Sequence, residues 1–396
     1  MKKYIVLLFS LIILICLGAV YAWSVFVPVL KESKGLTTAQ TQLIFGLAIA
    51  GFTISVAVAG PIQQKRTPKL VAAVGGLLFG AGYYIAGYTD SSFIGLLVGI
   101  GILSGFGIGT GYVCALATPI KWFPDKKGLI TGVTVAGFGA GAILLSAITS
   151  KLFAANYSAS EVFKYIGILY GIVVIISSIF LFVPKVAKET SRDDIKFTKK
   201  IAKQSQFKKL AFGIFCGTFA GILVVGNIKP IGLEAGVSEG IATLAIGLFS
   251  VGNATGRIIW GIAADAISKR VIGLSLTFLG LMVLALIPAS KNGILFAIAT
   301  TLVGFGFAAN FVVYAAQTAE NYGIKAVGTI YPFIYLFYGL SGFSAPYIGG
   351  WLFDITGHYN ASIVLAGIVA IIGVLGTRYF ENKDIQARVQ KAVHQV

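Results

Sequence analysis

The chain has 396 residues, of which 57% are hydrophobic and only 11% are charged, and its formal net charge is +17 at pH 7. Soluble domains carry about 25% charged residues, so this composition excludes an ordinary soluble protein and indicates many membrane-spanning segments. The three cysteines, Cys16, Cys114 and Cys216, all lie inside apolar segments and have neither metal-ligand spacing nor the pattern of a disulfide framework.

Apolar runs of about 20 residues, the length that crosses a bilayer, recur along the whole chain. Six occupy the first half, at residues 4–27, 41–62, 70–88, 92–117, 129–149 and 165–183. Six more occupy the second half, at residues 210–226, 242–264, 271–289, 293–316, 327–349 and 361–379. The first run follows two lysines but has no clear signal-peptidase site, so we expect it to be retained. We therefore predict an all-α membrane protein with twelve transmembrane helices.

The two sets of six helices are separated by the only long polar stretch. We divide the chain into a first six-helix bundle (1–183), a basic cytoplasmic linker (184–209), a second six-helix bundle (210–380) and a cytoplasmic tail (381–396). The Gly-Phe-Gly sequence at 105–107 in the fourth helix recurs at 304–306 in the tenth, 199 residues later. Such internal repeats are typical of transporters that rock around a site at the membrane midplane.

Basic residues in the loops predict the orientation. Of the 31 lysines and arginines, 24 lie on the side of the N-terminus and six on the opposite side. Because cytoplasmic loops are enriched in lysine and arginine, both termini and the linker are predicted to be cytoplasmic. The positive charge is thus explained by orientation in the plasma membrane, and we expect no nucleic acid partner.

Arg257 is the one basic residue in the interior of an apolar segment, since every other lysine or arginine lies in a loop, at a helix end or in a tail. An arginine near the middle of a bilayer costs about 2.5–3.5 kcal/mol on insertion scales. No Asp or Glu lies inside any of the apolar segments to compensate it. Guanidinium groups bind carboxylates through paired hydrogen bonds, so we expect the missing anion to be the substrate. The alternative is a structural charge bonded to backbone carbonyls.

Polar and aromatic residues near Arg257 complete the predicted binding site. Asn253 precedes it by four residues and therefore shares its helix face, where it could bind the anion, orient the guanidinium or form an interhelical hydrogen bond. The hydroxyl groups of mid-helix tyrosines could donate to a carboxylate, and aromatic rings could seal the cavity. Ordinary packing is an equal alternative for the tyrosines. These candidates are Tyr21, Tyr112, Phe311, Tyr314 and Tyr338.

A second group of charges suggests a gate. Asp265, Lys269 and Arg270 follow the eighth helix on the predicted cytoplasmic side, where they could stabilise one conformation. Nothing in the sequence indicates an enzyme, because no serine or cysteine stands near a plausible base and there is no nucleotide motif. We expect neither cofactor nor metal.

Three stretches resemble the major facilitator superfamily, and within it the oxalate:formate antiporter and monocarboxylate transporter branch. They are residues 18–26 (GAVYAWSVF), 121–132 (KWFPDKKGLITG) and 252–261 (GNATGRIIWG). The resemblance extends over nearly the whole chain. It implies the two-bundle fold of that superfamily, a substrate-binding arginine at Arg257 and aromatic contacts at Tyr21 and Tyr112.

Two departures from the family pattern bear on the substrate. The oxalate carrier has a second cation, a lysine, where this chain has Tyr338, and a dianion held by one arginine would keep an uncompensated charge. Animal-type monocarboxylate carriers have an aspartate where this chain has Asn253, so proton symport by that route is not expected. Exchange and protonation of the substrate both stay open.

The predicted function is therefore secondary transport of a small monocarboxylate of the lactate, pyruvate or formate class by alternating access, through a protein that functions as a monomer. The alternatives are a carrier of another organic anion, such as oxalate, another dicarboxylate or an amino acid, and a membrane sensor that binds the same ligand without transporting it.

Overall fold

The structure is a computed structural model of the chain, and it describes residues 2–123, 127–184, 198–267, 270–323 and 329–393, except for the side chains of 64, 127–129 and 384–393. Within these ranges the secondary structure is helical, without any strand. The all-α membrane fold predicted from the sequence is confirmed.

Twelve long helical segments run in chain order. They are α1 (Lys2–Lys34), α2 (Thr38–Lys65), α3 (Pro68–Tyr88), α4 (Phe93–Ile120), α5 (Lys127–Ala154), α6 (Ala159–Ser178), α7 (Ser205–Val225), α8 (Glu239–Ile267), α9 (Val271–Ala289), α10 (Gly293–Tyr322), α11 (Tyr331–Thr356) and α12 (Asn360–Val393). In the described chain, eleven of them combine the length and hydropathy needed to cross a membrane. The other, α11, is 26 residues long, but its four tyrosines and four glycines lower its mean hydropathy.

Several helices differ from the prediction in their bounds. The first is longer than residues 4–27 and contains a 3-10 stretch, Ala19–Val25. The eleventh begins later than predicted and ends at Thr356, seven residues beyond the predicted end. After α7 a short helix, Ile228–Glu234, follows a break at Asn227. The apolar pattern located the spans but not their ends, because polar residues in a terminal turn can stay helical when they find partners.

The helices form two groups, which we call the N-half (α1–α6) and the C-half (α7–α12). The largest contacts between the halves are α2 against α11 and α5 against α8. We call the end of the bundle that holds Lys34, Thr38 and Asp354 the outer face, and the opposite end the inner face. Most of the basic linker, residues 185–197, lies outside the described residues, and the domain bounds stay a prediction.

Glycines allow α8 and α10 to pack in backbone contact. A Cβ atom added to Gly252 would lie 2.0 Å from the carbonyl oxygen of Thr301, and one added to Gly304 would lie 2.1 Å from that of Phe249. Small residues at such crossings let the backbones approach closely, and the resulting van der Waals packing favours helix association in lipid. This contact places the middle of α8 against the middle of α10.

We expect Gly252→Ala to destabilise the protein by about 1–3 kcal/mol, because the added methyl group must push two backbones apart. Gly261→Ala on the same helix is the matched control, since a Cβ there has nothing within 4 Å. The control should be neutral or up to about 1 kcal/mol stabilising through helix propensity. Thermal unfolding in detergent measures both, and equal midpoints would contradict the packing described.

Candidate functional site

The guanidinium of Arg257 is the charged centre of the site. Its Nε donates a hydrogen bond of 3.1 Å to the Oδ1 of Asn253, one turn earlier on α8. Its Cζ lies 4.4 Å from the ring centroid of Phe311 on α10. None of the ion pairs in the described part of the chain includes Arg257. An amide oxygen and an aromatic ring thus hold this half-buried cation.

Hydrogen-bond donors at this centre are left free. Among the described residues, the Nδ2 of Asn253 is buried without a partner, and the terminal nitrogens of Arg257 donate to no protein acceptor. A narrow cavity borders both side chains and is also lined by Tyr21, Phe138 and Ser250. A buried donor without an acceptor costs about 1–3 kcal/mol. The arrangement therefore suits an anion that accepts hydrogen bonds from both residues.

A pair of tyrosines joins the two halves beside the cavity. The hydroxyl oxygens of Tyr21 on α1 and Tyr338 on α11 are 3.1 Å apart, at hydrogen-bond distance. The two residues are 7% and 0% exposed. Tyr21 lines the same cavity as Arg257, and the ring of Tyr338 packs edge-on against that of Phe311, with 5.4 Å between centroids. Because a phenol can donate as well as accept, this pair adds neutral donors next to the cation.

Backbone contact between α1 and α5 positions Tyr21. A Cβ on Gly18 would lie 1.7 Å from the carbonyl oxygen of Phe138, and one on Gly141 would lie 2.0 Å from that of Ile15. The close approach brings the ring of Phe138 edge-on to that of Tyr21, with 5.7 Å between centroids. Tyr21 follows Gly18 by three residues, so the α1–α5 contact determines where its ring lies.

Tyr112 on α4 lies in the aromatic wall of the N-half. Its ring packs edge-on against Phe138 and Phe52, with centroid distances of 5.1 and 5.3 Å. The structure therefore places Tyr112 behind Phe138, which lines the cavity, and not in the cavity lining itself.

Two further tyrosines, which the sequence analysis missed, extend the site along α11. The ring of Tyr331 lies 5.7 Å from that of Tyr335, which in turn lies 5.0 Å from that of Tyr338. The ring of Tyr335 also packs edge-on against that of Phe311, with 6.5 Å between centroids, so the row of tyrosines borders the ring that contacts Arg257. The spacing i, i+4, i+7 that places all three on one helix face was visible in the sequence.

Other predicted residues lie away from the cavity. Tyr314 is fully buried inside the C-half, where a Cβ on Gly213 of α7 would lie 2.7 Å from its hydroxyl. The structure does not bring Tyr314 to Arg257. Of the predicted gate, Asp265 and Arg270 are exposed near the inner face, and Lys269 lies outside the described residues. The gating role stays a prediction.

The sequence matches the family model described as Major Facilitator Superfamily over residues 8–227 and 210–395. It is 27% identical over 344 residues to the Uncharacterized MFS-type transporter YhjX of Escherichia coli (strain K12), covering 85% of each chain. It is 27% identical over 336 residues to the Oxalate:formate antiporter of Oxalobacter formigenes, covering 82% of this chain and 79% of the relative. To Monocarboxylate transporter 11 of Homo sapiens it is 26% identical over 374 residues, covering 87% and 76%.

Solved structures share the fold. A bacterial homolog of the human lysosomal transporter Spinster superposes with a TM-score of 0.73 at 14% identity, covering 96% of both chains. The xylose transporter XylE from E. coli superposes with a TM-score of 0.71 at 12% identity, covering 96% of this chain and 97% of that one. At these identities the likeness establishes the arrangement of helices alone.

We expect Asn253→Asp to supply Arg257 with the carboxylate that it lacks. The charge-assisted hydrogen bond should raise the stability of the ligand-free protein by about 1.5–3 kcal/mol and abolish the stabilisation by added carboxylates. Asn253→Leu, which removes the acceptor at similar volume, should instead destabilise the protein. Thermal unfolding with and without lactate measures both effects. An unchanged midpoint in Asn253→Asp, with the lactate response intact, would contradict the anion site.

Proposed function

The chain belongs to the major facilitator superfamily, and we propose that it carries a small monocarboxylate of the lactate, pyruvate or formate class across the plasma membrane. Members of this superfamily are transporters and not enzymes, so the chain is a membrane-spanning transporter. The proposal further takes both termini as cytoplasmic and the monomer as the functional unit.

The unpaired guanidinium of Arg257 is the observation that carries the proposal. Its partners in the described part of the chain are the amide of Asn253 and the ring of Phe311, which leave its positive charge uncompensated. A buried charge without a counter-ion is strongly unfavourable. A carboxylate entering from solution would accept from the guanidinium and from the free Nδ2 of Asn253.

The charge of the site supports a monoanion. Arg257 is the single basic residue among those that line the cavity in the described chain, and Tyr338 offers a neutral hydroxyl where a second cation would be needed for a dicarboxylate. A dianion would keep one charge uncompensated in a low-dielectric site. The names of two relatives, Oxalate:formate antiporter and Monocarboxylate transporter 11, support small organic acids as the substrate class.

The same charge favours exchange over net transport. To reorient while empty, the carrier must enclose Arg257 without a counter-ion, whereas the loaded carrier encloses a neutral pair. Asn253 cannot take up a proton in place of a substrate, as an aspartate at that position could. We therefore propose that substrate leaving in one direction is replaced by substrate returning in the other.

We expect Arg257→Gln to weaken lactate binding strongly and to abolish transport. Loss of a charge-assisted hydrogen bond of about 1.5–3 kcal/mol weakens affinity by roughly 10- to 150-fold. Arg378→Gln is the matched control, because it removes the same charge from an exposed position on α12. Binding is measured by thermal shift against lactate, pyruvate, formate and oxalate, and transport by uptake into proteoliposomes. Wild-type uptake by Arg257→Gln, or binding without flux by the unmodified protein, would refute the assignment.

Exchange predicts trans-stimulation. In proteoliposomes loaded with labelled lactate, efflux should accelerate at least several-fold when unlabelled lactate is added outside, because the returning carrier no longer encloses a bare cation. A pH gradient without external substrate should not replace this effect. Efflux that responds to the pH gradient and not to external lactate would support proton coupling instead.

A further inference from the structure

Helices α2 and α11 pack across the boundary between the halves, and their two ends differ in charge. At the outer face, Asp354 of α11 accepts two backbone hydrogen bonds from the first turn of α2. The N–H of Thr38 donates to Oδ1 at 2.9 Å, and that of Ala39 donates to Oδ2 at 2.7 Å. The first N–H groups of a helix have no partner within the helix. A carboxylate of the C-half thus completes the N-terminus of a helix of the N-half.

The backbone contact next to Asp354 fixes its direction. A Cβ on Gly350, one turn earlier on α11, would lie 2.8 Å from the carbonyl group of Thr38. The two helices therefore touch at Gly350, and Asp354 on the same face reaches the start of α2. One turn further along α2, Gln42 donates to the carbonyl oxygen of Gly226 at 2.8 Å, which is a further hydrogen bond between the halves.

Lys31 of α1 reinforces the contact. Its Nζ donates to the Oγ1 of Thr38 at 2.7 Å, lies 4.3 Å from the ring centroid of Phe353 and interacts electrostatically with Asp354. A cavity of about 420 Å³ opens at this face and is lined by Lys31, Phe353 and Tyr359, among others. The approach from the outer face therefore passes the residues that hold α2 to α11.

At the inner end of the same helix pair, the contacts seen among the described residues include no carboxylate bound to a helix N-terminus. The N-terminus of α11 follows Ile330, which provides no side-chain cap within the described residues. The inner end of α2 carries Lys65 and is capped by Arg66, both basic. Basic side chains suit the C-terminus of α2, where the partial charge of the helix is negative, and they offer no carboxylate to α11. In the described part of the chain, the contact between a carboxylate and a helix N-terminus is therefore seen at the outer end of the pair.

The geometry points to Asp354 as the latch of the outer face, which holds the carrier in the state closed to that side until α2 and α11 separate. The latch requires alternating access but not a particular substrate. Separation of the halves would expose the carboxylate and the two N–H groups to water. Its loss should therefore raise the population open to the outer face, relative to the closed one, by about 2- to 30-fold.

Distance measurements between spin labels test the latch. Labels on Ala155→Cys and Lys291→Cys report on exposed outer loops of the two halves, and the three native cysteines are buried. In Asp354→Asn, which keeps the shape but loses the charge, we expect a larger share of long distances. Glu32→Gln is the control, because it removes an acidic charge from the same cavity without touching α2.

A second variant tests the same contact in case Asp354→Asn does not fold. Thr38→Pro removes one of the two N–H donors and the acceptor of Lys31, and proline is well tolerated at the first position of a helix. It should shift the distances in the same direction. Distances unchanged in both variants, or shifted as far by Glu32→Gln, would overturn the latch.

The latch and the substrate assignment fail separately. Asp354→Asn leaves the Arg257 site intact, so it should still be stabilised by lactate. If its distances shift while no carboxylate stabilises the protein, the latch stands and the substrate assignment fails. If lactate stabilises it but the distances do not change, the substrate assignment stands and the latch fails.

Discussion

The positive charge of Arg257 in the middle of a membrane helix is the constraint on which the site depends. The half-buried guanidinium is only partly exposed, so the protein holds it with what its helices offer. Asn253 and Phe311 supply an amide oxygen and a π face, which fix the orientation of the charge without neutralising it. A site built in this way leaves hydrogen-bond donors that the proposed anion would fill.

The surrounding fold keeps this incomplete centre between the halves. Gly252 and Gly304 bring α8 against α10, so that Arg257 on one helix meets Phe311 on the other. The hydroxyls of Tyr21 and Tyr338, which are 3.1 Å apart, then join the two halves beside the cavity. Because the donors come from both halves, an anion bound among them would hold the halves together.

The sequence was sufficient for the helix count, the lone cation and its neighbour four residues earlier, because these depend on composition and helical period alone. It did not separate Phe311 from Tyr314, which are three residues apart on α10 but lie on different sides of it, one toward Arg257 and one toward α7. It also missed Asp354, since the predicted helix ended at residue 349. The last turns of α11 stay helical, with Asp354 bound to the N–H groups of α2. This is a tertiary contact that no local pattern reveals.

A change in the winding of the 3-10 stretch Ala19–Val25 would change the length of α1. A 3-10 helix rises about 2.0 Å per residue with three residues per turn, against 1.5 Å and 3.6 residues in an α-helix. Rewinding its seven residues into α-helix would shorten α1 by about 3.5 Å and turn one end relative to the other by roughly 140°. Tyr21 lies inside this stretch, so such a change of winding would rotate its side chain about the axis of α1 and move its hydroxyl away from the cavity.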